Sequence, residues 1–335
     1  SVNDAPVIAT NNTMTVDEAS TTTLTNSFLQ TTDVDDGDTT SDLVYTYGPS
    51  PLFTVTVKGS ITNNGVVLTD GSTFTQADID SGKIKYHHSG SETTSDLFRF
   101  TVTDGESASS VTVFNIAITP VNDAPVLFNS GAMNLTGITE DNTTSNGDLV
   151  SDIIATSSAN SGNAITDGDT SPLEGMAISS VTHTNGTWEY SLNGGTSWTA
   201  FSSPSASAAR LVAADSDNRI RFVPDGNNGG TPTFTFRAWD TSSGSDGGTA
   251  NVSDNGGITP FSSDSENVTI AVSSLNDAPV LDNSGSPTLS AIDEDATNPD
   301  GDLVSSLFAS AISDVDSGAS EGIAVTAVDN SNGAW

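Results

Sequence analysis

The tetrapeptide Asn-Asp-Ala-Pro occurs three times and divides the chain into repeats. Its copies begin at Asn3, Asn122 and Asn276, at spacings of 119 and 154 residues. Each interval has the length of an ordinary domain and can bury a core of its own. The spacing predicts a first repeat at 1–120, a longer second repeat at 121–274, and the N-terminal part of a third repeat at 275–335. We expect the third repeat to lack its closing strands and the chain to be a piece of a longer protein.

Strand patterns dominate the sequence. Segments 53–58, 97–103 and 111–119 alternate apolar or β-branched residues with polar ones, and clusters of Gly, Asn, Asp and Ser separate them. That alternation is typical of half-buried β-strands joined by turns. The best helical candidate is one turn at 75–81, because Thr75 and Asp78 have the spacing of a capping pair. The predicted fold class is therefore all-β, with tandem β-sandwiches arranged as beads on a string.

The repeats also align with one another internally. The Phe-x-Phe strand at 98–104 matches residues 234–240, and each is followed by a closing strand that leads into the next tetrapeptide. Residues 147–150 match 301–304 in the same way. The second repeat carries an insertion at 241–260, rich in Gly, Ser and Asp. We expect this insertion to be a long hairpin loop, with a binding loop as the alternative.

Charge and composition exclude several classes of function. The chain has 43 acidic and 8 basic residues, for a formal charge of −35. That balance opposes binding to nucleic acids and to anionic membranes. The chain has no cysteine, so disulfides and thiol chemistry are excluded. No apolar run approaches the ~20 residues of a membrane span. A salt-adapted surface would explain the acidity alone, but the acidic residues are not evenly scattered.

The acidic residues instead recur as an ordered series. Each tetrapeptide is followed by a glutamate and then by an Asp-x-Asp, and in the two complete repeats an aspartate ends the Phe-x-Phe strand. Calcium takes six to eight oxygen ligands, and carboxylates gathered at a repeat junction would repel one another without a cation. Aspartates also make turns, as we expect for Asp36 and Asp38. The predicted Ca²⁺ ligands are Asn3, Asp4, Glu18, Asp33, Asp35, Asp104, Asn122, Asp123, Glu140, Asp167, Asp169, Asp240, Asn276, Asp277, Glu294, Asp314 and Asp316.

This series resembles the cadherin pattern, in which a linker Asn-Asp-x-Ala-Pro, an early Glu, an Asp-x-Asp and a strand-end Asp share calcium between successive domains. The linker here is one residue shorter, and Glu92 is only a loose substitute for the Asp-Arg-Glu of that pattern. Residues 74–105 look like the chondroitin sulfate proteoglycan-type cadherin-like repeat of bacterial surface proteins. Residues 188–198 and 219–240 are similar to tandem cadherin-like repeats of giant bacterial adhesins. The resemblance implies Ig-like or cadherin-like sandwiches, one or two ions at each junction, and a secreted or cell-surface bacterial protein.

Catalytic patterns carry little weight. The Gly-x-Ser-x-Gly match at 318–322 lacks a preceding strand and a following helix, and no histidine occurs after His183. His87 and His88 are adjacent on a predicted strand, so they face opposite sides and cannot jointly bind a metal. The sequence therefore predicts a non-catalytic segment.

The predicted function is a calcium-stiffened stalk of an extracellular adhesin or matrix protein, whose partners are the flanking repeats. Two alternatives stay open. One is a carbohydrate-binding module, with Trp198 as the possible glycan contact, whereas Trp188 and Trp239 are expected to pack internally. The other is a subunit of an extracellular filament that pairs with copies of itself through edge strands.

Overall fold

A computed structural model describes residues 2–35, 37, 39–48, 58–157, 162–169 and 173–335, which form two compact units. The N-terminal unit comprises Ser1–Asp123, Asp167–Pro172 and Gly257–Thr259, and the C-terminal unit comprises Ala124–Thr166, Leu173–Gly256 and Pro260–Trp335. The strand predicted at 53–58 lies outside the described residues except for Lys58, and so do Asp36 and Asp38. The boundaries of the three sequence repeats stay a prediction.

The N-terminal unit consists of short strands and one helical turn. Its strands are β1 (Val7–Asn11), β2 (Met14–Asp17), β3 (Thr21–Thr23), β4 (Leu29–Thr32), β5 (Val44–Tyr47), β6 (Gly59–Asn63), β7 (Val66–Val67), β8 (Thr73–Thr75), β9 (Ile84–His88), β10 (Ser95–Thr103) and β11 (Thr112–Thr119), and its helix is α1 (Gln76–Asp80). The strands predicted at 97–103 and 111–119 correspond to β10 and β11.

Two sheets enclose the core of this unit. One has the strand order β2-β11-β10-β5-β8 and the other β3-β9-β6-β7, while β1 pairs with β4. All pairs are antiparallel except β2 with β11. Alternate residues of β10 are buried, and Phe98 and Phe100 share one cluster with Ile61 and Tyr86 of the second sheet. The unit is therefore a β-sandwich, which confirms the predicted all-β class.

Helix α1 begins at the predicted capping pair. The Thr75 hydroxyl oxygen accepts a hydrogen bond from the Asp78 N–H at 3.2 Å, and the Asp78 carboxylate accepts one from the Thr75 N–H at 3.1 Å. The turn buries Gln76 and Ile79 against the sandwich. Reciprocal capping satisfies the donors that a single helical turn would otherwise leave open.

The C-terminal unit has many more strands. They are β12 (Val126–Leu127), β13 (Met133–Asn134), β14 (Ile138–Thr139), β15 (Asp148–Leu149), β16 (Ile165–Thr166), β17 (Gly175–Val181), β18 (Gly186–Ser191), β19 (Thr199–Ala200), β20 (Ala209–Ala213), β21 (Arg219–Pro224), β22 (Thr233–Trp239), β23 (Thr249–Ala250), β24 (Glu266–Thr269), β25 (Val272–Ser273), β26 (Val280–Leu281) and β27 (Ile312–Ser313). Its helices are α2 (Val150–Ala155) and α3 (Val304–Leu307).

This unit is also a sandwich. A six-stranded sheet has the order β13-β24-β22-β17-β20-β23 and a four-stranded sheet the order β15-β21-β18-β19, and strand pairs β12-β16, β14-β25 and β26-β27 complete the unit. Trp188 is fully buried, and its ring meets those of Phe222 and Phe234 edge-on at centroid distances of 5.2 and 5.1 Å. The expectation that Trp188 packs internally is confirmed.

The insertion at 241–260 lies in the connection between β22 and β24, which pair antiparallel, so the expected long hairpin loop is confirmed. Its strand β23 pairs with β20 at the edge of the six-stranded sheet, away from the strand that precedes the insertion. The Trp239 indole donates a hydrogen bond to the Ser243 carbonyl at 2.8 Å, and Val252 and Phe261 pack in the same small cluster as Trp239. Trp239 lies on the sheet face opposite Phe234 and Phe236, where this segment covers it, so the expectation that Trp239 packs internally is confirmed.

Helix α2 was missed by sequence reasoning. It buries Val150, Ile153 and Ile154 and has no side-chain cap at its N-terminus. Six residues without a capping signal are too few to establish a helical period. None of the helices in the described ranges is long and apolar enough to cross a membrane.

Residues 275–335 expose apolar side chains whose counterparts in the second repeat are core. Leu289 is 47% exposed and Trp335 is 76% exposed, whereas Leu135 and Trp188 at the matching positions are 6% and 0% exposed. In this chain, strands β26 and β27 form a single short pair that leaves those side chains open to solvent.

Candidate metal centres

Each copy of the tetrapeptide folds into the same local structure. The asparagine amide donates a hydrogen bond to the carbonyl of the following aspartate, and that aspartate's N–H donates to the second carboxylate of an Asp-x-Asp. The amide bonds are Asn3 to Asp4 (3.0 Å), Asn122 to Asp123 (3.0 Å) and Asn276 to Asp277 (2.7 Å). The N–H bonds are Asp4 to Asp35 (2.7 Å), Asp123 to Asp169 (3.3 Å) and Asp277 to Asp316 (2.9 Å).

The Asp-x-Asp segments share a turn as well. In each, the N–H of the second aspartate donates to Oδ1 of the first, as in the aspartate turns that these residues favour. The pairs are Asp35 to Asp33 (3.0 Å), Asp169 to Asp167 (2.9 Å) and Asp316 to Asp314 (2.9 Å). The recurrence of the acidic series in the sequence therefore reflects a recurring backbone arrangement.

Within the N-terminal unit, the acidic series is divided between the two ends of β11. Asn3 donates to the Asp104 carboxylate at 3.1 Å, beside the turn that enters β11. The Val121 N–H, just beyond the end of β11, donates to Oε2 of Glu18 at 3.3 Å. The eight residues of β11 separate these points by about 27 Å. Glu18 therefore does not share a site with the other predicted ligands of the first repeat.

The first cluster consists of Glu18, Glu92 and Asp123. One carboxylate oxygen from each lies within 4.8 Å of the other two. Glu18 is 6% exposed, and its Oε1 and the Oε1 of Glu92 are buried atoms that receive no hydrogen bond from any described residue. Burial, and then the negative charge of Glu18, raise the pKa of Glu92. These carboxylates are held together without enough donors to satisfy them.

The second cluster consists of Glu140, Asp277 and Asp316 and meets the same distance criterion. Glu140 is only 1% exposed; its Oε1 accepts from the Leu275 N–H at 2.5 Å, and its Oε2 is buried and receives no hydrogen bond from the described part of the chain. Oδ2 of Asp277 is likewise buried and receives no hydrogen bond from the described residues. Burial and the negative charges of Asp316 and its acidic neighbours raise the pKa of Asp277.

Asn228 fixes the Asp-x-Asp that supplies Asp316. Its side-chain amide donates to the Val315 carbonyl at 3.1 Å, and its Oδ1 accepts from the Ser317 N–H at 3.2 Å. The nitrogen and the oxygen of the Asn228 amide thus hold the backbone on either side of Asp316. Because Asn228 lies in the loop between β21 and β22, the sandwich itself positions this ligand.

The other predicted ligands differ in their hydrogen bonds and exposure. Asp240 directly follows β22, and its Oδ1 accepts from the Ser242 N–H at 2.7 Å. Asp104 accepts from the N–H groups of Glu106 and Ser107, and the Ser107 bond is the main cause of its lowered pKa. Oδ2 of Asp33 is buried and receives no hydrogen bond from the described residues. Glu294 is exposed and belongs to neither cluster.

Glu92 is the residue that sequence reasoning left out of the ligand set. It lies in the loop between β9 and β10, and its Ser-Glu-Thr-Thr setting lacks the Asp-Arg-Glu pattern. The only signal available was its place in the chain, a few residues before the Phe-x-Phe strand.

Trp198 is half-buried, and one face of its ring is already covered. The Arg221 guanidinium lies 4.1 Å from the ring centroid and forms an ion pair with Glu189 at 2.7 Å. This cation–π contact occupies the face on which a sugar ring would otherwise stack. The proposed glycan contact would therefore have to use the remaining face or the ring edge.

Both clusters fit calcium in donor type and spacing. Their side-chain donors are carboxylate oxygens, which hard cations prefer. Two ligands that each lie about 2.4 Å from one Ca²⁺ ion cannot be more than about 4.8 Å apart, and the three oxygens of each cluster meet that limit. The buried oxygens without donors are the atoms that a cation would satisfy.

Comparison with known proteins identifies one domain. Residues 6–118 match the family model described as Cadherin-like, which confirms the cadherin-like resemblance for those residues. Human extracellular matrix organizing protein FRAS1 is 38% identical over 128 residues, which is 38% of this chain and 3% of that protein. The mouse protein of the same name is 43% identical over 77 residues, or 22% of this chain and 2% of that protein.

The chain thus spans only a few per cent of the length of these curated relatives. Among solved structures, the EC1-2 segment of human mucin-like protocadherin matches with a TM-score of 0.42 and 11% identity, covering 81% of this chain and 98% of that one. The curated relatives are animal proteins, and the bacterial origin expected from the sequence stays a prediction.

Proposed function

We propose that this chain, which carries a cadherin-like domain in its first repeat, is a non-catalytic stalk segment of an extracellular adhesion or matrix protein and is stiffened by calcium. The extracellular assignment is supported by the name of the FRAS1 relatives, which describes them as organizing the extracellular matrix. The calcium assignment rests on one observation, the buried carboxylate oxygens of Glu18, Glu140 and Asp277 that receive no hydrogen bond from the described residues.

The energetic argument concerns the charge that each cluster concentrates. Two carboxylates 4.8 Å apart repel by about 1 kcal/mol in water and by about 3 kcal/mol at the dielectric constant of a protein surface. A divalent cation bound between the carboxylates turns this net repulsion into a net attraction, and it supplies a partner for the buried oxygens. Glu18, Glu92 and Asp123 would hold the ion in the N-terminal unit, and Glu140, Asp277 and Asp316 in the C-terminal unit.

The mechanical consequence follows from what the clusters connect. Glu18 contacts the backbone at Val121 and Glu140 contacts it at Leu275, just before the second and third tetrapeptides. Calcium at these points would bind each tetrapeptide to the sandwich that precedes it, and Pro125 and Pro279 further restrict the backbone there. Ions that bind only the folded arrangement also stabilise it by mass action.

The test compares two glutamates at matching positions of the repeats. Glu140 and Glu294 follow the aspartate of their tetrapeptides at the same spacing, but Glu140 is buried in a cluster and Glu294 is exposed. In calorimetric titration, Glu140→Gln is expected to bind one calcium ion fewer than the parent chain. Its calcium-dependent rise in melting temperature should also be smaller. Glu294→Gln should bind as the parent chain does. Equal effects of the two substitutions, or no calcium binding by the parent chain, would refute the proposal.

A further inference from the structure

We infer that His88 is a positioning residue for the first cluster, because it fastens together the two turns that carry Glu18 and Glu92. This inference rests on the proposed calcium site but concerns residues that would not touch the ion. His88 ends β9, is only 6% exposed, and has hydrogen-bond partners on both ring nitrogens.

The hydrogen bonds fix which ring nitrogen carries the proton. Nδ1 lies 3.2 Å from the Ala19 nitrogen and 3.3 Å from the Gly90 nitrogen, and both of these groups are N–H donors. Nδ1 must therefore be an unprotonated acceptor, so Nε2 carries the hydrogen and donates to the Thr93 hydroxyl at 3.1 Å. One neutral imidazole thus contacts the turn after Glu18 and both sides of Glu92.

The turns that carry Glu18 and Glu92 need a group that holds them together. Ala19 has φ 53°, a left-handed conformation that costs a residue with a Cβ atom, and it directly follows Glu18. Gly90 has φ 76°, and a Cβ atom there would lie 3.5 Å from the Cβ of Ala19, so the two turns lie side by side. The carboxylates they carry repel each other, and the His88 bonds oppose their separation.

The C-terminal unit is built differently at the corresponding place. Strand β21, which precedes the Phe-x-Phe strand of the second repeat, ends at Pro224, whose side chain can neither donate nor accept a hydrogen bond. The loop that follows supplies Asn228, whose amide holds the backbone around Asp316. The second cluster is therefore independent of histidine, and it provides an internal control.

The test measures each cluster separately by calcium titration. In a Glu140→Gln background, where binding reports the first cluster, His88→Phe should weaken calcium binding by about 10- to 100-fold, as the loss of a group that orients metal ligands does. His88→Asn places an oxygen where Nδ1 was and should retain most of the affinity, whereas His88→Gln keeps only the Thr93 contact and should lose it. In a Glu18→Gln background, these His88 substitutions should leave calcium affinity unchanged.

His87 is the matched control, because its ring bonds Thr21 and Thr62 on the other side of the strand at 2.7 and 3.0 Å. His87→Asn should leave calcium affinity at the first cluster unchanged. In chelated protein, hydrogen exchange at the Ala19 and Gly90 amides should accelerate in the Phe and Gln variants of His88 and stay slow in the Asn variant.

The outcomes separate this inference from the proposed function. If the Glu140→Gln protein with His88 intact binds no calcium, the first cluster is not a calcium site. The hydrogen-exchange rates of the Ala19 and Gly90 amides then still test the role of His88. Equal calcium affinities and exchange rates for the Asn and Gln variants of His88 overturn the inference. If His88→Phe does not fold, the Asn and Gln variants decide the question by themselves.

Discussion

Glu18→Gln should change stability in opposite directions with and without calcium. The substitution preserves shape and removes one of three carboxylates whose oxygens lie within 4.8 Å. In chelator, it relieves about 1–3 kcal/mol of repulsion from Glu92. The bond from the Val121 N–H becomes neutral and weaker by about 1 kcal/mol. The calcium-free protein should therefore gain up to about 2 kcal/mol of unfolding free energy.

With calcium in excess, the same substitution removes a ligand. A 100-fold loss of affinity lowers the calcium contribution to stability by about 2.7 kcal/mol when the ion remains well above its dissociation constant. Urea denaturation of Glu18→Gln and the parent chain, each with calcium and with chelator, measures both terms. A change of the same sign in the two conditions would contradict the claim that these carboxylates are held together for a cation.

Three further predictions concern pH, packing and ligand positioning. The folded-state pKa values of Glu92 and Asp277 are raised, so the contribution of these carboxyl groups to the stability of the chelated protein should be largest in acid and be lost as pH rises through those raised values. The melting temperature measured as a function of pH tests this. Calcium should reverse the pH trend, because protons compete with the ion for the carboxylates. Trp239→Ala should cost about 3–5 kcal/mol in urea denaturation, since it empties a buried site, while Ile258→Ala, at a 69% exposed position, should change stability little; equal losses would mean that the 241–260 segment does not pack as described. Asn228→Ala should weaken calcium binding at the second cluster by about tenfold or more and leave the first unchanged, which titration in a Glu18→Gln background checks; an unaltered affinity would remove Asn228 from the account.

The strands could be predicted because their residues alternate. Phe98, Phe100 and Val102 point into the core while the residues between them are polar or charged, and this period of two is visible without any tertiary information. Helix α2 and the packing of the 241–260 segment could not be predicted in that way. Both depend on a surface supplied by distant strands: the 241–260 segment extends to β20 and packs over Trp239.

The acidic series could be recognised from its recurrence, but its division into separate clusters could not. Sequence order places Glu18 among the ligands of the first tetrapeptide, whereas folding brings it to Val121 at the far end of β11. Glu92 was excluded because no motif marks it, although its loop is carried directly to Glu18. Spacing along the chain thus indicates which residue types bind cations, and strand direction decides which of them meet.

The most direct measurement is anomalous diffraction from crystals grown with a lanthanide in place of calcium. The account predicts one anomalous peak within bonding distance of Glu18, Glu92 and Asp123, and another within bonding distance of Glu140, Asp277 and Asp316. Peaks that lie only at other acidic residues, with both clusters empty and their oxygens bonded to water, would contradict it.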